Sequence, residues 1–195
     1  MDTREALLHR IALAVPGART HGQYQEDVLL GLAELYGPAV AGEVRGRVPE
    51  LVGPGSFNYR VADLLGLCDM AALTAGERTG LPYGEVIEQL GAFTIRRFIE
   101  SPLGKGMWMM APRDMHEALK WSLVSLRSAV LHGQRKYEQL GPHAARIVFQ
   151  GELLGPSWMR GVFQCGLQML TQKTFSVSTE NQSEPGLDFA LHFTW

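Results

Sequence analysis

The sequence predicts an α+β protein, in which a helical N-terminal two-thirds is followed by a β-α-β-β unit with a small antiparallel sheet. Three observations support this fold class. Apolar residues recur at helical spacing through the first two-thirds of the chain. After Pro142 the apolar period changes to two, which is typical of strands. The last two alternating segments are joined by a short polar turn, so we expect them to form an antiparallel hairpin.

Three helices are predicted between residues 24 and 65, each with apolar side chains on one stripe. The stripes are Tyr24, Val28, Leu32 and Leu35, then Val40, Val44 and Val48, and then Phe57, Val61, Leu64 and Leu65. Gly37 and Pro38 end the first helix and begin the second. The segment 48–56 is rich in proline and glycine, and it predicts a loop before the third helix.

Two more helices are expected before the strands. The segment GEVIEQLGAFTIRRF, residues 84–98, predicts one helix, and SPLGKG, residues 101–106, predicts a flexible connector after it. In the next helix, Asp114 and Glu117 have the spacing of a capping box, and Gly133 is the expected stop. Its apolar stripe consists of Met115, Leu119, Leu123, Leu126 and Val130.

The C-terminal unit contains three predicted strands, at residues 145–153, 173–180 and 187–195. A helix beginning at Gly155 lies between the first and second strands, and we expect it to pack on the apolar face of the sheet.

The predicted domain organisation is simple. We expect an N-terminal extension, residues 1–22, and one domain, residues 23–195. The domain has a helical part, residues 23–141, and a β-α-β-β part, residues 142–195.

Composition excludes several classes of partner. The chain has 18 basic and 20 acidic residues, so its net charge of −2 gives no electrostatic footprint for nucleic acid. The apolar run Ile11–Val15 is too short for a signal peptide or a membrane span. Cys68 and Cys165 are isolated, which indicates reduced thiols, and a cytoplasmic location is the default expectation. Because the apolar run is short, we expect no membrane partner.

No catalytic motif is found. SPLGKGM lacks the upstream glycine and the hydroxyl residue of a phosphate-binding loop, and GPSWM lacks the second glycine of a nucleophile elbow. No two histidines are three or four residues apart, so no helix presents a two-histidine metal face. The acidic pairs Glu26 with Asp27 and Glu85 with Glu88 lie on helix faces that we predict to be exposed. We therefore expect a protein that is not an enzyme.

His116 is the one residue that suggests a cofactor. It lies at the edge of the apolar stripe that begins at Met115, where its side chain can turn inward or outward. Two interpretations remain open. His116 is a boundary residue in the first turn of its helix, or it is an axial haem ligand beside an apolar pocket.

The order of several segments resembles the haem-nitric-oxide/oxygen-binding (H-NOX) family. These segments are LGLAELYGPAVAGEV, ERTGLPYGEVIEQLG and RDMHEAL, followed by the strand, helix and hairpin. Leu35-Tyr36-Gly37 matches a turn of that family, and Glu85 through Gly91 to Ile95 approximates its E-x-x-x-x-[LV]-G-x-x-[FI] pattern. The resemblance implies that Gly91 lies where the helix backbone passes close to another element or bends over a pocket.

The same resemblance gives two opposing indications about haem binding. It places His116 on the helix that carries the proximal haem ligand in H-NOX domains. The family's Y-x-S-x-R motif, which holds the haem propionates, is replaced here by residues 149–153, FQGEL. The resemblance therefore favours a branch without haem, related to 4-vinyl-reductase-type domains and to an uncharacterised paralogous family of myxobacteria. No cofactor is expected, with haem as the alternative.

Three functional hypotheses follow. The first is a non-enzymatic regulatory or ligand-sensing module with an apolar pocket between the helices at 84–99 and 114–131. Its candidate lining residues are Val86, Leu90, Phe98, Met115 and Leu119. The second is a haem-binding gas sensor with His116 as axial ligand. The third is a homodimeric assembly module, with Trp108, Met109 and Met110 as an apolar surface for a second copy or another protein partner.

Overall fold

The computed structural model describes residues 2–21, 23–48, 58–180 and 182–195, and it confirms the α+β class. The helices are α1 (Arg4–Leu13), α2 (Gln23–Tyr36), α3 (Pro38–Arg47), α4 (Val61–Thr79), α5 (Tyr83–Glu100), α6 (Pro102–Met110), α7 (Met115–Ala129) and α8 (Gly155–Thr171). The strands are β1 (Arg19–His21), β2 (Asn58–Arg60), β3 (Gln134–Gly141), β4 (Ala144–Gln150), β5 (Ser176–Glu180) and β6 (Phe189–Thr194). The loop predicted at 48–56 lies almost wholly outside the described residues.

The main sheet has the strand order β3-β4-β6-β5, and every neighbouring pair is antiparallel. The predicted hairpin is confirmed, because β5 pairs with β6 in a register that places Val177 opposite Phe193. The predicted packing of α8 on the sheet is also confirmed. The Phe163 ring of α8 contacts the rings of Phe149 and Phe193, at centroid distances of 6.1 and 5.8 Å.

Two predictions about the middle of the chain are wrong. Residues 134–141 were assigned to the helical part, but they form the edge strand β3. This strand is mostly polar and exposed, so it lacks the alternation that reveals a strand in the sequence. Residues 101–106 were predicted as a connector, but they begin α6. The Ser101 hydroxyl accepts a hydrogen bond from the Gly104 N–H at 3.0 Å, and Pro102 occupies the first helical turn.

Other local predictions hold with small shifts. Asp114 caps α7, since its carboxylate accepts a hydrogen bond from the Glu117 N–H at 3.2 Å. The helix ends at Ala129, before the expected stop at Gly133. None of the helices in the described ranges is both long and apolar enough to cross a membrane.

The predicted close approach at Gly91 is confirmed, and its partner is α8. A Cβ atom at Gly91 would lie 2.5 Å from the Trp158 carbonyl oxygen. On the facing helix, a Cβ atom at Gly161 would overlap the Glu88 carbonyl oxygen and lie 2.9 Å from the Ala92 nitrogen. The α5 and α8 backbones therefore cross in direct contact. The packing that glycine allows at this crossing outweighs the loss of helix propensity that glycine causes.

The N-terminal segment packs against the same body. Leu7 and Arg10 of α1 are fully buried. The Arg10 guanidinium donates to the Asp2 carboxylate at 2.7 Å and to the carbonyl oxygens of Leu153 and Pro185 at 3.1 and 2.9 Å. These contacts link residues 2–13 to the connection between β4 and α8 and to the connection between β5 and β6. The division at residue 22 stays a prediction.

Candidate ligand cavity

A cavity of about 320 Å³ lies among α2, α5, α6, α7 and α8, within the size range of small-molecule sites. The helices α5 and α7 that border it are the pair between which the sequence predicts a pocket. The lining residues are Gln23, Tyr24, Asp27, Thr94, Ile95, Phe98, Ile99, Ser101, Leu103, Gly104, Met107, Trp108, Trp121, Ser122, Ser125, Leu126, Val162, Phe163, Gly166, Leu167 and Leu170. Most of this surface is aliphatic or aromatic.

The serine and threonine hydroxyls in the lining are bonded to backbone carbonyls. Thr94 donates to the Gly91 oxygen at 2.9 Å, and Ser101 donates to the Phe98 oxygen at 2.6 Å. The remaining two, Ser122 and Ser125, donate to the carbonyl oxygens of Ala118 and Trp121, at 2.8 and 3.2 Å. These hydroxyl protons are therefore engaged within the protein, and the cavity behaves as an apolar site along α5, α6 and α7.

The α2 side of the cavity carries the polar groups. The Asp27 side chain is only 2% exposed, and its carboxylate lies 3.5 Å from the Arg97 guanidinium. Burial raises the pKa of Asp27 to about 6, against the opposing effect of Arg97. Burial also raises the pKa of Tyr24 to about 12, so this phenol stays neutral near pH 7. The prediction that Asp27 is exposed is wrong, because Asp27 lies on the side of α2 that faces Arg97 of α5.

The five predicted lining residues separate into two groups. Phe98 lines the cavity. Val86, Leu90, Met115 and Leu119 are fully buried in the apolar core and do not line it. These four residues of α5 and α7 are thus core residues, and the cavity is formed by neighbouring faces of the same helices. A role for Phe98 in ligand binding stays a prediction.

The sequence does not predict the other lining residues, among them Asp27, Trp121 and the residues of α8. Asp27 and Arg97 are distant in sequence, and neither forms part of a recognisable motif. Trp121 lies outside the apolar stripe of α7, and a large apolar side chain outside the stripe is the one indication that could have suggested a second buried face.

His116 faces the β3–β4 hairpin. Its Nδ1 atom lies 2.6 Å from the Tyr137 hydroxyl oxygen, and its Nε2 atom lies 3.1 Å from the Pro142 carbonyl oxygen. The Trp195 ring packs edge-on against the imidazole at a centroid distance of 4.7 Å. His116 does not line the cavity. In this arrangement the imidazole connects α7 to the sheet.

A family model described as "Protein of unknown function (DUF2378)" matches residues 20–195. The chain belongs to the DUF2378 family. The matched range begins at β1 and includes every helix that lines the cavity. No protein with a curated description matches the chain.

Solved structures show the fold of this DUF2378 protein. The Fe(II) unliganded H-NOX protein from K. algicida has a TM-score of 0.68 at 11% identity, over 89% of this chain and 95% of that one. A single-residue variant of Tt H-NOX has a TM-score of 0.66 at 14% identity, over 89% and 94%. An oxygen-binding H-NOX domain related to soluble guanylate cyclases has a TM-score of 0.53 at 14% identity, over 89% and 93%. The DUF2378 chain therefore has an H-NOX-like fold.

The described residues of the DUF2378 protein do not match the features expected of a haem site. The described cavity lining contains no histidine or cysteine that could bind iron, and both nitrogens of His116 already have protein partners. At the positions of the Y-x-S-x-R motif, Phe149 is buried in the core. Glu152 is buried in an ion pair with Arg135, so the charge of Arg135 is already neutralised and is not available to a propionate. Within the described residues, His, Cys, Asp and Glu side chains form no group of three that could hold a metal ion.

The buried Asp27 carboxyl predicts a specific dependence of stability on pH. Its pKa is raised from 3.8 in the unfolded chain to about 6 in the folded protein. The stabilising effect of the bound proton is complete below pH 3.8, and it is lost as the pH rises through 6. Relative to wild type, Asp27→Asn should become more stable by about 2 to 3 kcal/mol between pH 4 and pH 7. Urea unfolding at several pH values measures this difference.

The control for this experiment is Glu26→Gln, which removes a neighbouring exposed carboxylate. Its stability difference from wild type should change little over the same pH range. A constant difference for Asp27→Asn would contradict the raised pKa of Asp27.

Proposed function

We propose that this DUF2378 protein is a non-enzymatic, haem-independent sensory or regulatory module, which binds a small and largely apolar ligand in the cavity. The observation that supports this most directly is the cavity itself, about 320 Å³ in volume and lined mainly by apolar side chains of α5, α6, α7 and α8. The likeness to H-NOX structures, of which one is described as oxygen-binding, supports a sensory role for the fold.

The engaged hydroxyls support the non-enzymatic part of the proposal. A nucleophilic hydroxyl needs a neighbouring base that accepts its proton. In the described lining, the serine and threonine hydroxyls donate instead to backbone carbonyls, as at Ser122 and Thr94. The remaining polar groups, Asp27, Tyr24 and Gln23, lie together on one side, where they can orient a ligand.

A cavity-filling variant tests ligand binding. Ser122→Leu places an apolar side chain in the cavity, whereas Val124→Leu adds a methylene to the same helix at an exposed position outside it. We expect toluene to raise the melting temperature of wild type and of Val124→Leu by a few degrees, since a ligand that binds only the folded state stabilises it. Ser122→Leu should show little or no increase. Differential scanning calorimetry in sealed cells measures these shifts, and an equal response of all three proteins would contradict the proposed site.

Absorption spectroscopy of wild type and His116→Ala tests the proposal that the protein functions without haem. Haemin added to wild type should give no stoichiometric Soret band, and His116→Ala should behave like wild type. A stoichiometric band that is lost in His116→Ala would support the alternative of a haem-binding gas sensor.

The remaining expectations concern assembly and location. Trp108 lines the cavity, while Met109 and Met110 are 85% and 77% exposed on the outer face of α6. A homodimer or another protein partner at this apolar surface stays a prediction, which the molecular mass in solution addresses. The cytoplasmic location also stays a prediction.

A further inference from the structure

We propose that the ligand of this cavity is an organic amine, with an apolar body among the aromatic side chains and a cationic head against the Asp27 carboxylate. This inference rests on the proposed function and names the chemical class of its ligand. Three features of the cavity support it: the pairing of Asp27, the charges of the lining and the aromatic rings beside it.

Asp27 is the least well paired of the buried carboxylates in the described part of the chain. Asp2 receives a hydrogen bond from Arg10 at 2.7 Å, and Asp69 receives one from Arg4 at 3.1 Å. Glu152 forms a close ion pair with Arg135. The nearest cation to Asp27 is Arg97 at 3.5 Å, beyond the usual length of an N–H···O hydrogen bond. The Arg97 side chain is also 44% exposed, so water screens much of its charge.

Among the residues that the structure describes, the lining contains one acidic side chain and no basic one. Asp27 and Tyr24 are its ionisable groups, and α5, α6, α7 and α8 contribute neither lysine, arginine nor histidine to it. The other charges near Asp27 are Arg97 of α5 and Glu26 on its own helix, while Gln23 provides a neutral hydrogen bond. A cationic ligand would therefore meet a buried carboxylate whose charge the half-exposed Arg97 offsets only in part. An anionic ligand would meet the like charge of Asp27.

The aromatic lining favours the same class of ligand. Tyr24, Phe98, Trp108 and Trp121 all border the cavity. Aromatic ring faces attract ammonium groups as well as apolar carbon, so the same rings can hold both parts of an arylalkyl or alkyl amine. A charge-assisted hydrogen bond from the ammonium to Asp27 would fix its orientation.

The test compares three probes of nearly equal size: 2-phenylethylamine, 2-phenylethanol and 3-phenylpropanoate. Isothermal titration calorimetry at pH 7.5 measures their binding to wild type, Asp27→Asn and Glu26→Gln. For wild type we expect the amine to bind about tenfold more tightly than the alcohol, and the carboxylate more weakly than both. In Asp27→Asn the preference for the amine should fall to within about twofold, while the alcohol still binds, which also shows that the variant is folded. Glu26→Gln, which loses an exposed charge one residue away, should keep the preference.

Results that would contradict an amine ligand differ from results that would contradict the cavity as a ligand site. Equal binding of amine and alcohol to wild type, or tighter binding of the carboxylate, would overturn the assignment of an amine and leave the proposed apolar site intact. Loss of the preference in Glu26→Gln as well as in Asp27→Asn would also overturn it, because a general negative potential would then explain the selectivity. If no probe binds to wild type, both the assignment and the proposed ligand site are contradicted.

Discussion

Replacing Gly161 with alanine is expected to lower the free energy of unfolding by about 3 kcal/mol. The new Cβ atom would overlap the Glu88 carbonyl oxygen and lie 2.9 Å from the Ala92 nitrogen, both in the backbone of α5. Backbone atoms of a packed helix cannot rotate away as a side chain can, so α5 and α8 would have to separate. Separation would loosen the apolar contacts along the whole crossing. Alanine recovers about 1 kcal/mol of helix propensity, which is too little to reverse the effect.

Glycines elsewhere in the helices provide the control. Gly42 and Gly46 lie in α3, and a Cβ atom at either position would meet no atom within 4 Å. Gly42→Ala should therefore raise stability by up to about 1 kcal/mol, through propensity alone. Urea unfolding followed by circular dichroism compares the variants. If Gly161→Ala is as stable as Gly42→Ala, the backbones of α5 and α8 do not cross in direct contact.

The sequence predicts this crossing only in part. The resemblance to H-NOX domains implies a close approach at Gly91, and Gly91 does lie at one. The sequence does not identify the partner helix, because Gly161 lies in a segment with several other small residues and no distinctive spacing. Helix periodicity shows which face of a helix is buried, but it does not show which neighbour covers that face.

The cavity is predicted only in part for the same reason, since helix periodicity does not show which neighbour covers a buried face. Val86 and Leu90 are predicted to line a pocket, but they pack into the core. The cavity uses another face of α5, which becomes enclosed because the segment after Pro102 folds back as a helix. That segment was predicted as a connector, so nothing was expected to cover Phe98 from the other side.

Charged residues in the interior are the hardest to predict from sequence. Asp and Arg are seldom fully buried, so the sequence predicts an exposed position for Asp27 and gives no indication that Arg10 is buried. Burial of Asp27 depends on α5, and burial of Arg10 depends on groups more than 140 residues away. Such long-range pairing has no local pattern in the sequence.

Replacing Arg10 with methionine should destabilise the protein by about 3 to 5 kcal/mol. Methionine retains most of the apolar stem, but it removes the guanidinium that neutralises the fully buried Asp2 carboxylate. The carbonyl oxygens of Leu153 and Pro185 would also lose their donor. The guanidinium fits closely beside Gly155, where a Cβ atom would lie 2.6 Å from its central carbon, so few other side chains could replace it.

A second substitution separates the effect of the unpaired Asp2 charge on stability from the effect of the lost packing of Arg10. In the double variant Arg10→Met with Asp2→Asn, no unpaired charge remains, and we expect recovery of about 1 to 2 kcal/mol relative to Arg10→Met alone. Arg60→Met removes an arginine that forms an exposed ion pair with Asp63, and it should destabilise the protein far less than Arg10→Met does. Urea unfolding of the variants measures all three differences. If Arg10→Met costs no more than Arg60→Met, then residues 2–13 do not pack against the sheet and α8 in solution, and the buried pair does not anchor this segment to the domain.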